Sequence, residues 1–395
     1  MRIFWVPSIL VLILNIVVDC YIYREMKKSR RLGGELSRLH IVLAAVANVA
    51  IIIALFLPFS NSEYSSASLT STMRLIWYYF MFYVPKLVWA LFYQLSRPRP
   101  LPRWLSVTAK TLALVLALLA LNAMWQGVKS TPYKYKVTQV EIPCERLPQS
   151  FDGYKIVHIS DLHLGTYESD TTFVAECVDA VNALDADVIM FTGDLVSRNT
   201  EEAYAFTSPL SRLKARDGVL SILGNHDYDD YTVMTPEEKR EDHERLCELI
   251  TEMGWTLLFN EVTTLHHGSD SIAVVATENF SKGHTPNYCK LDSILDVVDP
   301  NLFTVLMQHN PQLWREQVLG KTSIDLMLSG HTHAFQIMIP FFGRTLSPAR
   351  LVYREWGGLY SENGQHLYVN IGLGMVGVPA RVGATPEITL ITLKR

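Results

Sequence analysis

The sequence is poor in charge and poorer in cysteine. Only 19% of its 395 residues are charged, 49% are hydrophobic, and the mean hydropathy is +0.14. That balance excludes a disordered, solvating chain. The five cysteines are odd in number and include no CxxC pair, which excludes a disulfide framework and a zinc finger and leaves small buried hydrophobes. A glycine-rich P-loop, a GxSxG elbow and an HExxH helix are also missing. Acidic residues are nearly absent from the first third. Residues 1–128 hold 13 Lys+Arg and 4 Asp+Glu and carry +9, whereas residues 129–395 hold 22 and 35 and carry -13. A basic, sparsely charged front and an acidic, well-charged back predict a membrane region followed by a soluble domain.

Four apolar stretches, 3–23, 41–59, 75–95 and 105–125, match the ~20 helical residues that cross a ~30 Å hydrocarbon core, and four spans are expected. The first is long for a signal peptide, lacks an A-x-A-like site and runs straight into a basic cluster, so it reads as a span. Six bases at 24–38 and three at 97–103 oppose four on the other side (Arg2, Lys129, Lys134 and Lys136). The positive-inside rule puts the basic loops in the cytoplasm and the C-terminal domain outside it, in a multi-pass protein of the cytoplasmic membrane. Lys86 sits beside Pro85 within the third stretch. It either pairs with Asp19 or snorkels at the kink, and snorkelling is the favoured reading. The loop at 96–104, SRPRPLPRW, is stiff and basic and suits anionic headgroups.

Beyond residue 129 the pattern becomes short apolar runs between turn residues. Strands are expected at 155–160, 187–192, 218–223, 302–308 and 324–329. Asp170 can cap a helix burying Phe173, Val174, Cys177, Val178 and Val181, and Thr235 with Glu238 forms a capping box for a helix reaching about Met253. Alternating strands and helices indicate an α/β domain with a largely parallel sheet. Later runs near 272–276, 366–371 and 387–393 look antiparallel and suggest a second sheet.

The residues after each buried run carry the chemistry. The five runs lead into Asp161-Leu162-His163, Gly193-Asp194, Gly224-Asn225-His226-Asp227, His309-Asn310-Pro311 and Gly330-His331-Thr332-His333. Carboxyl ends of strands line the crevice of an open α/β sheet, so these side chains should converge. Imidazoles and carboxylates without thiolates suit Mn, Fe or Zn. An isolated Asp after a strand is more often a helix cap than a ligand. Five such ends together need a common partner, because buried Asp or His without one costs several kcal/mol each.

This ordered set resembles that of the calcineurin-like metallophosphoesterases over roughly residues 150–395, and the C-terminal tail with the preceding spans looks like a membrane-anchored bacterial branch. The apolar stretches give a four-helix transmembrane region (1–128) followed by a linker and first strand (129–149), and the resemblance implies an α/β metallophosphoesterase domain (150–395) with two central mixed sheets flanked by helices. It also implies two divalent metal ions (Mn, Fe or Zn). Asp161, His163 and His333 would hold one, Asn225, His309 and His331 the other, and Asp194 would bridge them. Two such ions, two carboxylates and a bridging hydroxide leave an excess of about +1 to attract phosphate and activate the hydroxide. His226 would give a proton to the leaving oxygen, with Asp227 orienting it. Ala334-Phe335-Gln336 replaces the Gly-Gly-Gln common in relatives, which alters one substrate wall. Arg381 could reach a phosphate, although a surface salt bridge is the favoured reading. His158 reads as core, His266 and His267 as turn residues, and Asp229 and Asp230 as solvated loop charges; His243, His284 and His366 have no partner in sequence.

The function expected is a metal-dependent phosphoester hydrolase tethered to the membrane. Its substrate would be a phosphodiester, monoester or pyrophosphate, lipid-linked or otherwise at the surface, with membrane lipids as partners. A UDP-diacylated-sugar pyrophosphatase would require a cytoplasmic site. A nucleic-acid partner is not expected, because the domain carries -13 and has no basic stripe, and no protein partner can be inferred. A membrane interaction or sensor protein keeping the fold for structure alone would have no chemical need for His226. A transporter would need more helices and more charged pathway residues.

Overall fold

The computed structural model describes residues 5–29, 32–56, 66–94, 96, 102–282 and 286–395. The chain divides into two compact units, Met1–Val128 with Gly377–Ala380, and Lys129–Val376 with Arg381–Arg395.

The first unit contains α1 (Trp5–Lys27), α2 (Glu35–Phe56), α3 (Ser66–Gln94) and α4 (Arg103–Lys129). Among the described residues, three segments are long and apolar enough to cross a membrane: Glu35–Ala54, Ser71–Gln94 and Arg103–Tyr133. The expectation of four spans is therefore corrected to three candidates. The stretch at 3–23 begins outside the described residues. The helix it forms interrupts its apolar run with Asn15 and Asp19 and ends in Arg24, Glu25 and Lys27. Most of the loop at 96–104, and His284, also lie outside the described residues.

Those interrupting residues are paired. Lys86 Nζ donates to Asp19 Oδ1 at 2.8 Å and Tyr83 Oη to Asp19 Oδ2 at 2.5 Å. Asn48 joins Tyr83 and Tyr79, and Asn15 Nδ2 donates to Tyr79 Oη at 2.8 Å. The ion pair replaces the snorkelling favoured from sequence. In an apolar surrounding a lysine that finds a carboxylate and the faces of two aromatic rings, Phe82 and Tyr83, has no reason to reach for water.

The second unit runs β1 (Lys136–Pro143), β2 (Lys155–Ile159), α5 (Thr172–Ala183), β3 (Val188–Phe191), α6 (Thr207–Leu210), β4 (Val219–Ser221), α7 (Pro236–Glu252), β5 (Thr256–Leu257), β6 (Glu261–His267), β7 (Asp270–Ala276), α8 (Leu291–Leu295), β8 (Thr304–Met307), β9 (Leu326–Ser329), β10 (Ile339–Phe341), β11 (Arg344–Leu346), β12 (Gly358–Glu362), β13 (Gln365–Val369) and β14 (Glu387–Lys394). Two six-stranded sheets result, ordered β1-β14-β2-β3-β4-β5 and β12-β13-β9-β8-β7-β6, beside the two-stranded ribbon β10-β11. Both are mixed. The late strands β7, β13 and β14 each have one parallel and one antiparallel neighbour.

Burial explains the arrangement. β3, β8 and β9 are buried at every residue, as central parallel strands covered on both faces must be. Ile156, Met190 and Leu220 of one sheet pack with Val274, Val305 and Leu328 of the other. The outer face of the first sheet is covered by Phe173, Val178, Leu246 and Ile250 of α5 and α7. The capping box at α7 forms as expected, with Thr235 N donating to Glu238 Oε2 and Glu238 N to Thr235 Oγ1. Asp170 accepts from Thr172 N at the start of α5.

Candidate metal centre

The five chemically marked strand ends belong to both sheets: β2, β3 and β4 supply three, β8 and β9 two. The crevice lies where the carboxyl ends of two sheets meet, and not along one sheet as the strand pattern alone suggests. The loops approach so closely that a Cβ on Gly193 would stand 2.2 Å from Gly224 N, and one on Gly224 2.2 Å from Asp194 Oδ1. Asp161, His163, Asp194, His331 and His333 all have positive φ, between 42° and 73°. Left-handed backbone at non-glycine residues costs energy and concentrates at functional sites.

All seven residues expected around the metals come together. Asp161, His163, Asp194 and His333 bring ligand atoms within 4.8 Å of one another, as do Asp194, His309 and His331, so Asp194 belongs to both groups. His163 Nε2 faces His333 Nε2 at 3.0 Å, and His331 Nδ1 faces His309 Nε2 at 3.2 Å. Asp161 Oδ1 is 3.1 Å from His333 Nε2, and Asp194 Oδ2 is 3.4 Å from His163 Nε2 and 3.2 Å from His309 Nε2. Asn225 Oδ1 lies 3.1 Å from His309 Nε2.

These donors fit a pair of divalent cations. Burial pushes His163 down to about 4 and His331 to about 3, so both imidazoles are neutral and their lone pairs free near neutral pH. Burial opposes charge on His309 too, but the adjacent Asp194 carboxylate outweighs it and raises His309 to about 9. A cation at that point would take the place of the proton. Asp161 and Asp194 are held below the ordinary carboxylate range because the neighbouring imidazoles outweigh their burial. The opposite ring atom of His309, Nδ1, is 2.7 Å from the Thr192 carbonyl. It donates there, which leaves Nε2 as the ligand atom.

His226 is not among the grouped ligand atoms, but its ring packs edge-on against His163 with centroids 4.9 Å apart. Its Nδ1 is 2.7 Å from the Ser197 carbonyl, and its backbone N donates to Asp194 Oδ1 at 2.8 Å. The expectation that Asp227 orients this ring is corrected. The Asp227 carboxylate accepts from the backbone N of Gly224, Asp194, Leu195 and Val196, tying together the loops after β3 and β4. Burial and the Asp194 charge raise its carboxyl to about 7.

Arg381 is also corrected. It is buried, 0% exposed, and makes no surface salt bridge. It donates to the carbonyls of Ile371, Gly374 and Ala384, and its Nη2 lies 3.2 Å from His333 Nδ1. Asp229, expected in solvent, is 2% exposed. His158 is core as expected, with Nε2 2.9 Å from Thr192 Oγ1, and His266 and His267 end β6 beside the Gly268 turn. His243 and His366 do have partners, the Asp227 carbonyl and Ser361 Oγ.

Two residues at the site escaped the sequence reading. Tyr231 stacks on His226, with centroids 4.1 Å apart and planes at 15°, and accepts from Asn225 Nδ2 at 2.9 Å. That contact turns Asn225 Oδ1 toward His309. Tyr353 Oη lies 3.0 Å from His331 Nε2, leaving Nδ1 to face the cluster. Both tyrosines sit in loops where no periodicity marks them; the aspartates around Tyr231 in DYDDY are the only local signal.

Comparison with known proteins agrees with this geometry. Residues 154–335 match the family model described as Calcineurin-like phosphoesterase. The metallophosphoesterase YkuE of Bacillus subtilis is 34% identical over 269 residues, 67% of this chain and 87% of that protein. A zebrafish (Danio rerio) transmembrane protein with metallophosphoesterase domain is 31% identical over 71% of this chain and 62% of its own length, and its Bos taurus counterpart 31% over 65% and 57%. The chain thus spans about three-fifths of these vertebrate proteins. The solved phosphopantetheinyl hydrolase of Mycobacterium tuberculosis aligns with 50% of this chain and 89% of its own at 16% identity and a TM-score of 0.29, too distant to add to the assignment. Three apolar helices and relatives named as transmembrane proteins point to membrane association. The chain belongs to the calcineurin-like phosphoesterase family, whose members are hydrolases of phosphoester bonds.

Proposed function

We propose that the protein is a membrane-tethered, two-metal phosphoester hydrolase acting on a lipid-linked or surface-bound phosphodiester, monoester or pyrophosphate. The observation that carries this reading is the position of Asp194, shared by two groups of buried ligand atoms. Asp161, His163, Asp194 and His333 would hold one ion, and Asn225, His309, His331 and Asp194 the other. Two divalent ions supply charge to polarise a phosphoryl oxygen and to deprotonate water near neutral pH.

The remaining work falls to the chain's own side chains. His226 donates Nδ1–H to the Ser197 carbonyl, so Nε2 is the atom that gives a proton to the leaving oxygen. Stacking on Tyr231 holds the ring plane. Asp227 keeps the backbone carrying Asp194 and His226 in register. A protein using this fold only as a scaffold would gain nothing from His226.

The domain is placed outside the cytoplasm by the positive-inside rule. This does not depend on α1: three spans that begin after the bases at 24–38 and four spans that include α1 both put residue 130 opposite the basic loops. A periplasm-versus-cytoplasm reporter fused after residue 130 tests the side, and cytoplasmic activity overturns it. Hydrolysis of a chromogenic phosphodiester with added Mn tests the chemistry. His226→Ala should lower turnover about 10²–10⁴-fold with metal retained, and Asp194→Ala should abolish turnover together with metal. Wild-type turnover no higher than that of these variants, across several substrates, defeats the enzyme reading.

A further inference from the structure

The ribbon of β10 and β11 is unlike the rest of its unit. All six of its residues are exposed. Its two-residue tip, Phe342-Gly343, has φ of 45° and 74°, the positive pair of a primed hairpin turn in which Asn-Gly is the usual choice. A bulky aromatic in that left-handed position costs energy, and Phe342, 92% exposed, packs only its edge against Phe341, itself 54% exposed, with ring centroids 4.7 Å apart. A lone two-stranded ribbon is at best marginally stable in water. The apolar surface continues into the following turn, where Leu351 is 89% exposed.

Arginines stand among these apolar residues. Arg344, Arg350 and Arg354 are all exposed. The one acid in 337–356, Glu355, is buried against Arg315 and lies 3.7 Å from Arg354 Nε. The stretch is thus basic within a region that carries -13. An aromatic tip with flanking arginines matches the interface of an anionic bilayer, where rings sit at headgroup depth and guanidinium groups meet lipid phosphate.

The base of the ribbon is joined to the metal centre. Ser347 Oγ donates to the carbonyl of Ala334, the residue after His333, at 2.6 Å, and Tyr353 meets His331. We propose that the β10-β11 ribbon inserts Phe341 and Phe342 into the headgroup layer of an anionic lipid bilayer and so holds the metal centre against lipid phosphates. This rests on the proposed hydrolase function only in naming membrane-lipid phosphate as the substrate class.

The test uses the full-length chain in nanodiscs of phosphatidylcholine, with and without phosphatidylglycerol. Thr345→Cys carries a polarity-sensitive fluorophore in a Cys20→Ser background, the other four cysteines being buried or half-buried. In anionic discs the label should shift to the blue and be quenched by spin-labelled lipid. Replacing Arg344 or Arg350 by Gln should lower the insertion equilibrium about fivefold apiece. Phe342→Asn, which suits the turn better and so works against misfolding, should abolish quenching. A label at Val297, exposed outside the ribbon, should stay unquenched. The proposal is overturned by an unquenched ribbon, by equal quenching in zwitterionic discs or at Val297, by quenching that survives Phe342→Asn, or by cross-linking of two ribbons in place of lipid contact. None of these readouts needs turnover, so loss of the hydrolase reading with a quenched ribbon, or the reverse, separates the two ideas.

Discussion

Asp19 in the helical unit and Asp194 in the α/β unit are both buried carboxylates, and their charges are met in opposite ways. Asp19 receives an ammonium and a phenol from its own unit, while Asn15, Asn48 and Tyr79 close the surrounding network. Asp194 instead faces imidazole nitrogens, with Asp161 and two more imidazoles close by. Its cluster brings two acids and four histidines together, with a proton on His309 beside Asp194 and the Arg381 guanidinium behind His333, and a divalent ion would take the place of that proton. The difference separates polar residues that hold helices together from polar residues kept ready for a ligand: the first set is neutralised by a fixed ammonium, the second by an imidazole proton that a metal ion can replace.

Metal addition should break the symmetry most visibly. Each ion bound at a hundredfold excess over its Kd stabilises the folded unit by ~2.7 kcal/mol, so two give about twice that. A thermal scan with Mn and then chelator should move the α/β unit's transition by that amount and leave the helical transition still. Asp194→Ala should erase the shift. A metal response that survives in that variant would show that the cluster is not the site.

The converse experiment acts on the closed cluster. Asp19→Ala strands the Lys86 ammonium among apolar helices, and breaking one partner of a buried pair costs about 3–5 kcal/mol. Asp19→Leu combined with Lys86→Met should recover most of that loss, because a matched apolar replacement leaves no orphan charge. Detergent-resistance of the helical unit reads the effect, and metal uptake should not change in either variant. Equal damage from the single and the double replacement would mean that the network holds the helices by shape and not by charge.

The open cluster is far more legible in sequence than what surrounds it. Each ligand pair follows directly on a short apolar run, so Asp161, Asp194, Asn225, His309 and His331 are marked by their own neighbours. Their convergence from two sheets is not marked, because strand order is decided by pairings between distant segments. Asp227 is misread because its carboxylate is taken up by backbone amides and not by His226; Arg381 and Asp229 are misread for another reason. A charged residue in a loop reads as solvated, and only the tertiary fold reveals that carbonyls or other acids close over it. The helical unit shows the same limit. Composition offers four apolar stretches, but Asn15 and Asp19 are committed to partners on α2 and α3, and this alters what α1 is.

Arg381 tests how far the open cluster extends. Its guanidinium clips the 371–384 loop by three carbonyls and backs His333. Loss of such a contact behind a metal ligand typically lowers affinity 10–100-fold. Arg381→Gln should show this in a metal titration, and Arg381→Lys should not restore it, since one ammonium cannot replace a planar fork. Unchanged affinity would confine Arg381 to holding its loop.

The smallest effect is expected at Asp229, a third kind of buried acid, for which burial and the neighbouring acid Asp242 outweigh the nearby Lys239. Burial first, and then the charge of Asp242, raise its carboxyl from 3.8 to about 8, and Oδ2 has no hydrogen-bond partner among the described residues. A carboxyl whose pKa is higher folded than unfolded keeps its proton in the native state while the unfolded chain has lost it. Stability is therefore full below about pH 4 and falls as pH rises toward 8. Asp229→Asn keeps the shape without the charge. Wild type and variant should melt together at pH 4–5 and separate progressively above it, the variant higher by about 2–4 °C at pH 8–9 if the penalty is ~1 kcal/mol. A constant offset at every pH would mean that the carboxylate is solvated after all, and Asp229 would return to the class of surface charges from which its burial removed it.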